Sequence, residues 1–255
     1  MTTVFHTDEI KQLKNFRLSE QPYPSELSIA VSDLLDKEKL TSYLSILQAT
    51  IDAPDQKVTA SMLAKRYGFF AVLSLYSMTI LNKQLNVSLN NVFIETDENK
   101  EISVWLPNFR LQSLECTVAE DNRIGWRDKY LKSLFSEHIQ VIIDVLSRET
   151  KISTLILWEN IAIYIYWLYE MLLEEERFDM YKTIIEDDFN YVVGNANGYL
   201  FGPDNRNPLS RYFSKKTYHT EHDKEIRVRK TCCLYYQTTS QNDHCLTCPL
   251  TCKKA

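Results

Sequence analysis

At 255 residues, with 44% hydrophobic and 25% charged side chains, the chain suits one large globular domain or two small ones. Only five glycines and seven prolines exclude long flexible linkers. A net charge of −5 excludes nucleic-acid binding driven by the whole surface.

In chain order, residues 8–16 suit a short helix, and Gln21-Pro22-Tyr23-Pro24-Ser25 suits an extended segment. Residues 33–49 repeat apolar side chains at Leu34, Leu40, Tyr43, Leu44 and Leu47, a helical face ended by Asp52-Ala53-Pro54-Asp55. A long helix is predicted over 58–83 from Met62, Phe69, Leu73, Tyr76 and Ile80. Lys65 and Arg66 in it read as a solvated cationic face, with contact to an anion as the alternative. Residues 87–95 and 101–106, β-branched and aromatic around a turn at 97–100, predict a hairpin, with 109–114 as a candidate third strand.

Residues 126–148 form an amphipathic helical pattern. His138 falls on its apolar face and reads as a core histidine rather than a metal ligand. From Leu155 to Leu173 the chain is apolar for nineteen residues, close to membrane-spanning length. Glu159, Asn160 and Glu170 inside that run are costly in lipid, so a central buried helix is expected over 152–176, with another over 177–193. The glycine-spaced stretch 194–203 lacks a phosphate-loop ending and reads as a connection, and Asn207-Pro208 opens a short helix through Phe213. His219 and His222 have metal-like spacing but no third partner, and read as a surface loop. The expected fold class is α+β, mostly helical, with a small antiparallel sheet and an irregular C-terminal segment. A mainly helical body over 1–205, with its hairpin near 87–106, is expected to form one compact unit with a basic region over 206–255. The body carries −11 and the basic region +6.

Five of the six cysteines lie in the last 24 residues. They form Cys232-Cys233, eleven intervening residues, Cys245-x-x-Cys248-Pro249, and then Cys252; Cys116 stands alone. Clustered thiols serve as disulfides, zinc ligands or iron–sulfur ligands. No secretory signal is recognised, so a cytoplasmic, reducing compartment is expected, where disulfides are disfavoured. Zinc prefers two spaced Cys-x2–4-Cys hooks, and adjacent cysteines strain to aim both sulfurs at one ion. A two-iron cluster offers neighbouring thiolates separate irons. Iron–sulfur binding is therefore the leading expectation, with zinc or reduced cysteine as alternatives.

The stretch Arg229-Lys230-Thr231-Cys232-Cys233-Leu234-Tyr235-Tyr236 followed by Cys245-x-x-Cys248-Pro249-Leu250 resembles the C-terminal signature of the FhuF-type ferric-siderophore reductases. The segments from Ser61 to Tyr67 and from Leu157 to Asn160 are also similar to that family. The resemblance implies one [2Fe–2S] cluster on Cys232, Cys233, Cys245 and Cys248, with Cys252 outside the pattern. It further implies an oxidoreductase that reduces a cytoplasmic Fe(III)–siderophore, of hydroxamate or citrate-hydroxamate type, by one electron. Hard oxygen donors hold Fe(III) far better than Fe(II), so that electron frees the iron. Neither a dinucleotide fingerprint nor a flavin signature is visible, so electrons are expected from a ferredoxin, a flavodoxin or their reductase. Lys215, Lys216, Arg227, Arg229 and Lys230 are candidates for attracting an anionic chelate. The 87–106 region also resembles part of the siderophore synthetases, without the acidic and histidine residues their nucleotide chemistry needs. The competing expectation is a non-enzymatic iron–sulfur or zinc protein, a sensor or a structural module. Neither a transmembrane segment nor a nucleic-acid partner is expected.

Overall fold

The computed structural model describes residues 2–97, 104–119, 121–203, 206–220 and 223–252. Strand β1 (Thr2–Val4), helix α1 (Thr7–Lys14) and the short strands β2 (Leu18–Ser19) and β3 (Ile29–Ala30) lead to α2 (Lys37–Thr50) and α3 (Gln56–Thr79). Strands β4 (Lys83–Leu85), β5 (Val92–Glu95), β6 (Asn108–Leu111) and β7 (Glu115–Val118) follow. Then come α4 (Arg123–Leu134), α5 (Gln140–Thr150), α6 (Thr154–Glu174), α7 (Lys182–Asn190) and α8 (Pro208–Tyr212). A hairpin of β8 (Thr217–His219) and β9 (Lys224–Ile226) precedes the cysteine segment, which is irregular apart from a 3-10 turn at Tyr235–Thr238. The mostly helical α+β class read from the pattern is the class observed.

Helix α3 starts where the Asp55 carboxylate accepts the Val58 N–H at 2.9 Å, an N-cap that satisfies an otherwise orphaned donor. From Val58 to Thr79 nearly every side chain is buried, Arg66 and Phe69 being the partly exposed exceptions. A helix buried all round must hold apolar or small residues and give its polar ones local partners. Ser77 Oγ accordingly donates to the Lys83 carbonyl at 2.7 Å, and Thr79 Oγ1 to Asp188 at 2.9 Å. Helix α6 lies along α3. Their closeness depends on Gly68, where a Cβ would stand 2.7 Å from Tyr164 Cδ2 and 3.4 Å from the Asn160 carbonyl oxygen. A side chain there would first have to displace the Tyr164 ring.

The predicted helix over 58–83 ends early, at Thr79. Asn82 takes a left-handed conformation, φ 51°, which asparagine tolerates, and the chain turns into β4. The predicted hairpin is real in its first arm and shifted in its second. Strand β5 pairs antiparallel with β6, from Val92↔Leu111 to Glu95↔Asn108. Residues 98–103, which hold most of the expected turn and half of the second arm, lie outside the described residues. Residues 104–106 stay out of the ladder, because Trp105 folds back and donates Nε1–H to Thr96 Oγ1 at 3.1 Å. Register is pinned one pair further on, where Arg110 Nε donates to Glu95 at 2.6 Å and stacks on Phe93 at 4.0 Å.

In place of one small sheet there are two, besides the β8–β9 hairpin. One runs β2-β6-β5-β3, with β2 parallel to β6; the other, all antiparallel, runs β1-β7-β4 and buries Cys116 in its central strand. The helix expected over 126–148 is one rod, α4 and α5 joined through a π-turn at Phe135–Ile139. The region 177–193 is a 3-10 turn, α7 and the start of a π-turn. Asp188 pins α7: Arg123 grips it through two bonds of 2.9 and 2.7 Å, and Arg127 adds one at 2.8 Å. His219 lies in β8, and His222 lies outside the described residues. Among the described residues no helix is long and apolar enough to cross a membrane.

His138, in the π-turn, is a packed core residue, 1% exposed. Its Nδ1 is 2.5 Å from the Val87 carbonyl, which can only accept, so the neutral ring carries its proton there. Its Nε2, at 2.5 Å, then accepts from the Tyr67 hydroxyl. Burial lowers its pKa to about 4, against a smaller upward pull from the Val87 bond. A base whose folded pKa lies below its unfolded one stabilises the fold above the unfolded value and loses that contribution as pH falls. His138 is expected to withdraw about 3 kcal/mol between pH 6.5 and 4. Denaturant titrations of wild type and His138→Gln over that range should show a shallower slope in the variant. Equal slopes would remove His138 as the cause.

Candidate metal centre

The cysteine segment is held by the facing surfaces of α3 and α6. Glu159, 1% exposed in α6, accepts the backbone N–H of Lys230 through Oε1 and of Thr231 through Oε2, both at 2.6 Å. The Thr231 hydroxyl also donates to Oε2. The adjacent Asn160 accepts from Arg229 Nη2 at 2.6 Å and donates to both the carbonyl and the hydroxyl oxygen of Ser61, each at 2.9 Å. Ser61 Oγ, on α3, donates in turn to the Cys233 carbonyl at 2.8 Å. Arg229 N–H bonds to the Thr247 carbonyl at 3.0 Å and ties the two cysteine motifs together. A buried polar network this densely bonded favours a single arrangement of the chain it holds, and Arg229 Nη1 is its one member atom left without a partner among the described residues.

The sulfurs form two pairs, each with one member from either motif. Cys233 Sγ is 3.7 Å from Cys245 Sγ. Cys232 lies close enough to Cys248 for that thiol to help raise its pKa. Backbone N–H groups address the outer pair, Leu234 to Cys232 Sγ and Leu250 to Cys248 Sγ, both at 3.4 Å. Leu234 reaches its sulfur through a left-handed turn, φ 64°. His244 Nδ1 stands 3.3 Å from Cys248 Sγ, with its ring stacked on Tyr236. Cys233 and Cys248 are buried, while Cys232 and Cys245 are partly exposed. Cys252 is also buried, and its Sγ donates to the Leu246 carbonyl at 3.3 Å. All six cysteines are free thiols. Among the described residues no three metal-binding side chains converge on a single-ion position.

Two cations stand behind the inner pair. Lys65 Nζ lies 3.7 Å from Cys233 Sγ and 4.6 Å from the centre of the Tyr235 ring. Burial lowers the Lys65 pKa, and the neighbouring cysteines oppose the shift. Arg229 is buried, with Nη1 unpartnered among the described residues, and its charge acts on both Cys233 and Cys245. The Cys233–Cys245 hydrogen bond pulls the Cys233 thiol below its usual range, helped by Lys65 and Arg229, and holds the proton on Cys245. Desolvation pushes Cys232 up. Two buried cations face one buried carboxylate, Glu159, so the pocket favours an added anion. Four thiols in two pairs, amide donors on the sulfurs and an orphaned guanidinium N–H suit a thiolate-ligated [2Fe–2S] cluster, which carries negative charge.

Ser61, Lys65, Glu159 and Asn160 are the site residues that spacing analysis does not assign to the centre. The readable signal is their chemistry: a carboxylate and an amide in the most apolar helix must have a buried partner. Of the basic residues proposed for a chelate, Arg229 is part of this network. Arg227 bonds to Glu170 at 2.7 Å and to the Ser214 carbonyl at 2.6 Å, and Lys216 pairs with Glu170 at 2.8 Å. Lys230 Nζ donates to the Arg211 carbonyl, and Lys215 is exposed.

Removing the Glu159 carboxylate strands two partly buried backbone donors and leaves the buried Arg229 without its carboxylate partner. Glu159→Ala is expected to cost roughly 3–5 kcal/mol in chemical denaturation and to weaken cluster retention, read as visible absorbance per chain. Wild-type stability and absorbance in that variant would show that the grip on residues 230–231 is dispensable.

Residues 61–217 match the family described as ferric iron reductase FhuF-like transporter, and residues 229–250 match the FhuF 2Fe-2S C-terminal domain. No curated protein matches the chain. The first match begins at Ser61 and takes in Lys65, Glu159 and Asn160, the residues that hold the cysteine segment. The second spans both cysteine motifs, stops short of Cys252 and identifies the cofactor as a [2Fe–2S] cluster. Together they cover most of the chain, which therefore belongs to the FhuF-like ferric iron reductase family.

Proposed function

We propose that the protein is a cytoplasmic ferric-siderophore reductase, with Cys232, Cys233, Cys245 and Cys248 as the cluster ligands. The observation that carries this reading is the pairing of Cys233 with Cys245 at 3.7 Å, backed by the buried Lys65 and Arg229. When bound, the cluster supplies one electron at a time to a ferric chelate. The protein's own groups set the terms of that transfer. Lys65 and Arg229 hold negative charge on the inner sulfurs in a low-dielectric setting, where a cation acts more strongly than in water. The Leu234 and Leu250 amides do the same for the outer pair. Cys233 and Cys248 are shielded from solvent, while Cys232 and Cys245 leave an accessible edge.

The substrate's own chemistry completes the reaction. Fe(III) held by hydroxamate or carboxylate oxygens takes one electron, the Fe(II) chelate is weaker, and the metal dissociates. Without a dinucleotide or flavin motif in the sequence, the electron comes from a ferredoxin- or flavodoxin-type donor.

Single Cys→Ser changes at the four ligands should lose or alter the visible spectrum, and Cys116→Ser should not. Bleaching by Cys252→Ser but not by Cys248→Ser would overturn the ligand set. For activity, the cluster is reduced anaerobically with dithionite and excess reductant is removed. A ferric siderophore is then added with a ferrous-specific dye. Re-oxidation of the cluster should keep pace with formation of the ferrous complex, and NAD(P)H alone should support no turnover. A cluster that stays reduced before hydroxamate and citrate-type chelates alike would overturn the reading.

A further inference from the structure

A cleft of about 400 Å³ lies against the cysteine segment. Its walls include Arg17, Met62, Arg66, Trp105, Tyr235 and Thr238. Tyr235 lies two positions after Cys233, and its ring lies under Lys65, whose Nζ is 3.7 Å from Cys233 Sγ. A single layer of side chains therefore separates the cleft from the inner sulfur pair.

The charge arrangement in the cleft is unusual. Arg17 holds a left-handed backbone, φ 73°, which residues with a side chain rarely adopt. Its guanidinium donates to the Leu106 carbonyl at 3.4 Å and lies 4.7 Å from the Phe69 ring centre. Arg66 Nη1 donates to the Tyr164 hydroxyl at 3.4 Å. Among the described residues neither guanidinium is ion-paired. The two are close enough that Arg66 adds to burial in lowering the Arg17 pKa. Two carboxylates also line the cleft, Asp52 and Asp97. Asp52 precedes the start of α3, and Arg66 lies about 15 Å along that helix from its first residue. Asp97 follows β5 and has a partner of its own. Adjacent unpaired guanidiniums beside aromatic rings form a receptor for carboxylate groups. Of the tail's basic residues, Lys216 and Arg227 are less suited, since both are ion-paired with Glu170.

We infer that this cleft is the substrate site, and that Arg17 and Arg66 select ferric chelates with free or metal-bound carboxylates over neutral and cationic trihydroxamates. The inference rests on the ferric-chelate reductase reading and narrows it to a charge class.

Gallium(III) matches ferric iron in charge and does not accept the electron, so binding can be measured apart from turnover. Calorimetry on the cluster-loaded protein should show gallium(III) citrate binding more tightly than the cationic gallium(III) desferrioxamine. The citrate affinity should fall as salt is raised. Arg17→Gln and Arg66→Gln should each weaken citrate binding about tenfold and leave desferrioxamine binding unchanged. If a variant loses the wild-type visible spectrum, the salt dependence and charge preference of the wild type decide the matter. Unchanged citrate binding in both folded variants would overturn the inference, as would salt-insensitive wild-type binding or an equal preference for the cationic chelate.

The same preparation is reduced and challenged with ferric citrate and ferric desferrioxamine. Oxidation by either chelate without arginine-dependent gallium binding defeats the cleft and spares the reductase reading. Arginine-dependent binding with no oxidation by either defeats the reductase reading and spares the cleft.

Discussion

The centre depends on one contact, the grip of Glu159 and Asn160 on the backbone and guanidinium of residues 229–231. The cysteine segment has no ladder and only one 3-10 turn, so its own backbone bonds fix little of its shape. Fixing the backbone of each residue costs about 1–2 kcal/mol of entropy, which an irregular segment must recover elsewhere. It recovers it from α6. A carboxylate accepting two amide protons and a hydroxyl proton supplies charge-assisted bonds in a buried setting. Because α6 is gripped by α3 at Gly68, and Ser61 carries the link on to Cys233, sulfur placement follows from helix packing.

That arrangement explains why the most apolar helix carries a carboxylate. In a membrane Glu159 would be costly, and in a core without partners it would cost several kcal/mol. Here it offsets Arg229 and organises the turn before Cys232. Lys65 is the counterpart on α3, a buried cation whose nearest acceptor is a sulfur. Lys65 and Arg229 thus bring buried charge to the Cys233–Cys245 pair, while Cys232 and Cys245 remain partly exposed.

The long helices were legible because each presents a period of about 3.6 over three turns or more. The cysteine motif was legible because its composition departs from the rest of the chain. The short strands β2 and β3 have two residues each and cannot display a period of two. Of the expected second hairpin arm, 104–106 stay out of the ladder, and β5 pairs instead with β6, which overlaps the stretch 109–114 read as a candidate third strand; the choice falls to a distant pair, Arg110 with Glu95. The helical pattern reads Lys65 and Arg66 together as a solvated face, but only Arg66 is partly exposed; one residue's rotation on a helix separates a buried cation from an accessible one.

The charge of the tail makes the same point about distance. Its +6 suggests a basic surface drawn to an anionic partner, but three of its ten basic side chains are paired with carboxylates of the body. Lys216 and Arg227 are bound to Glu170, and Arg229 is enclosed by Asn160 and Glu159. Such pairs join the basic tail to the acidic body and cancel over a Debye length of about 8 Å. What acts at the sulfurs is set within a few ångströms, by Lys65 from a helix more than 160 residues earlier in the chain and by Arg229 from the tail itself. Net charge by segment measures how the two regions attract one another, and the field at the cysteines is a property of the fold.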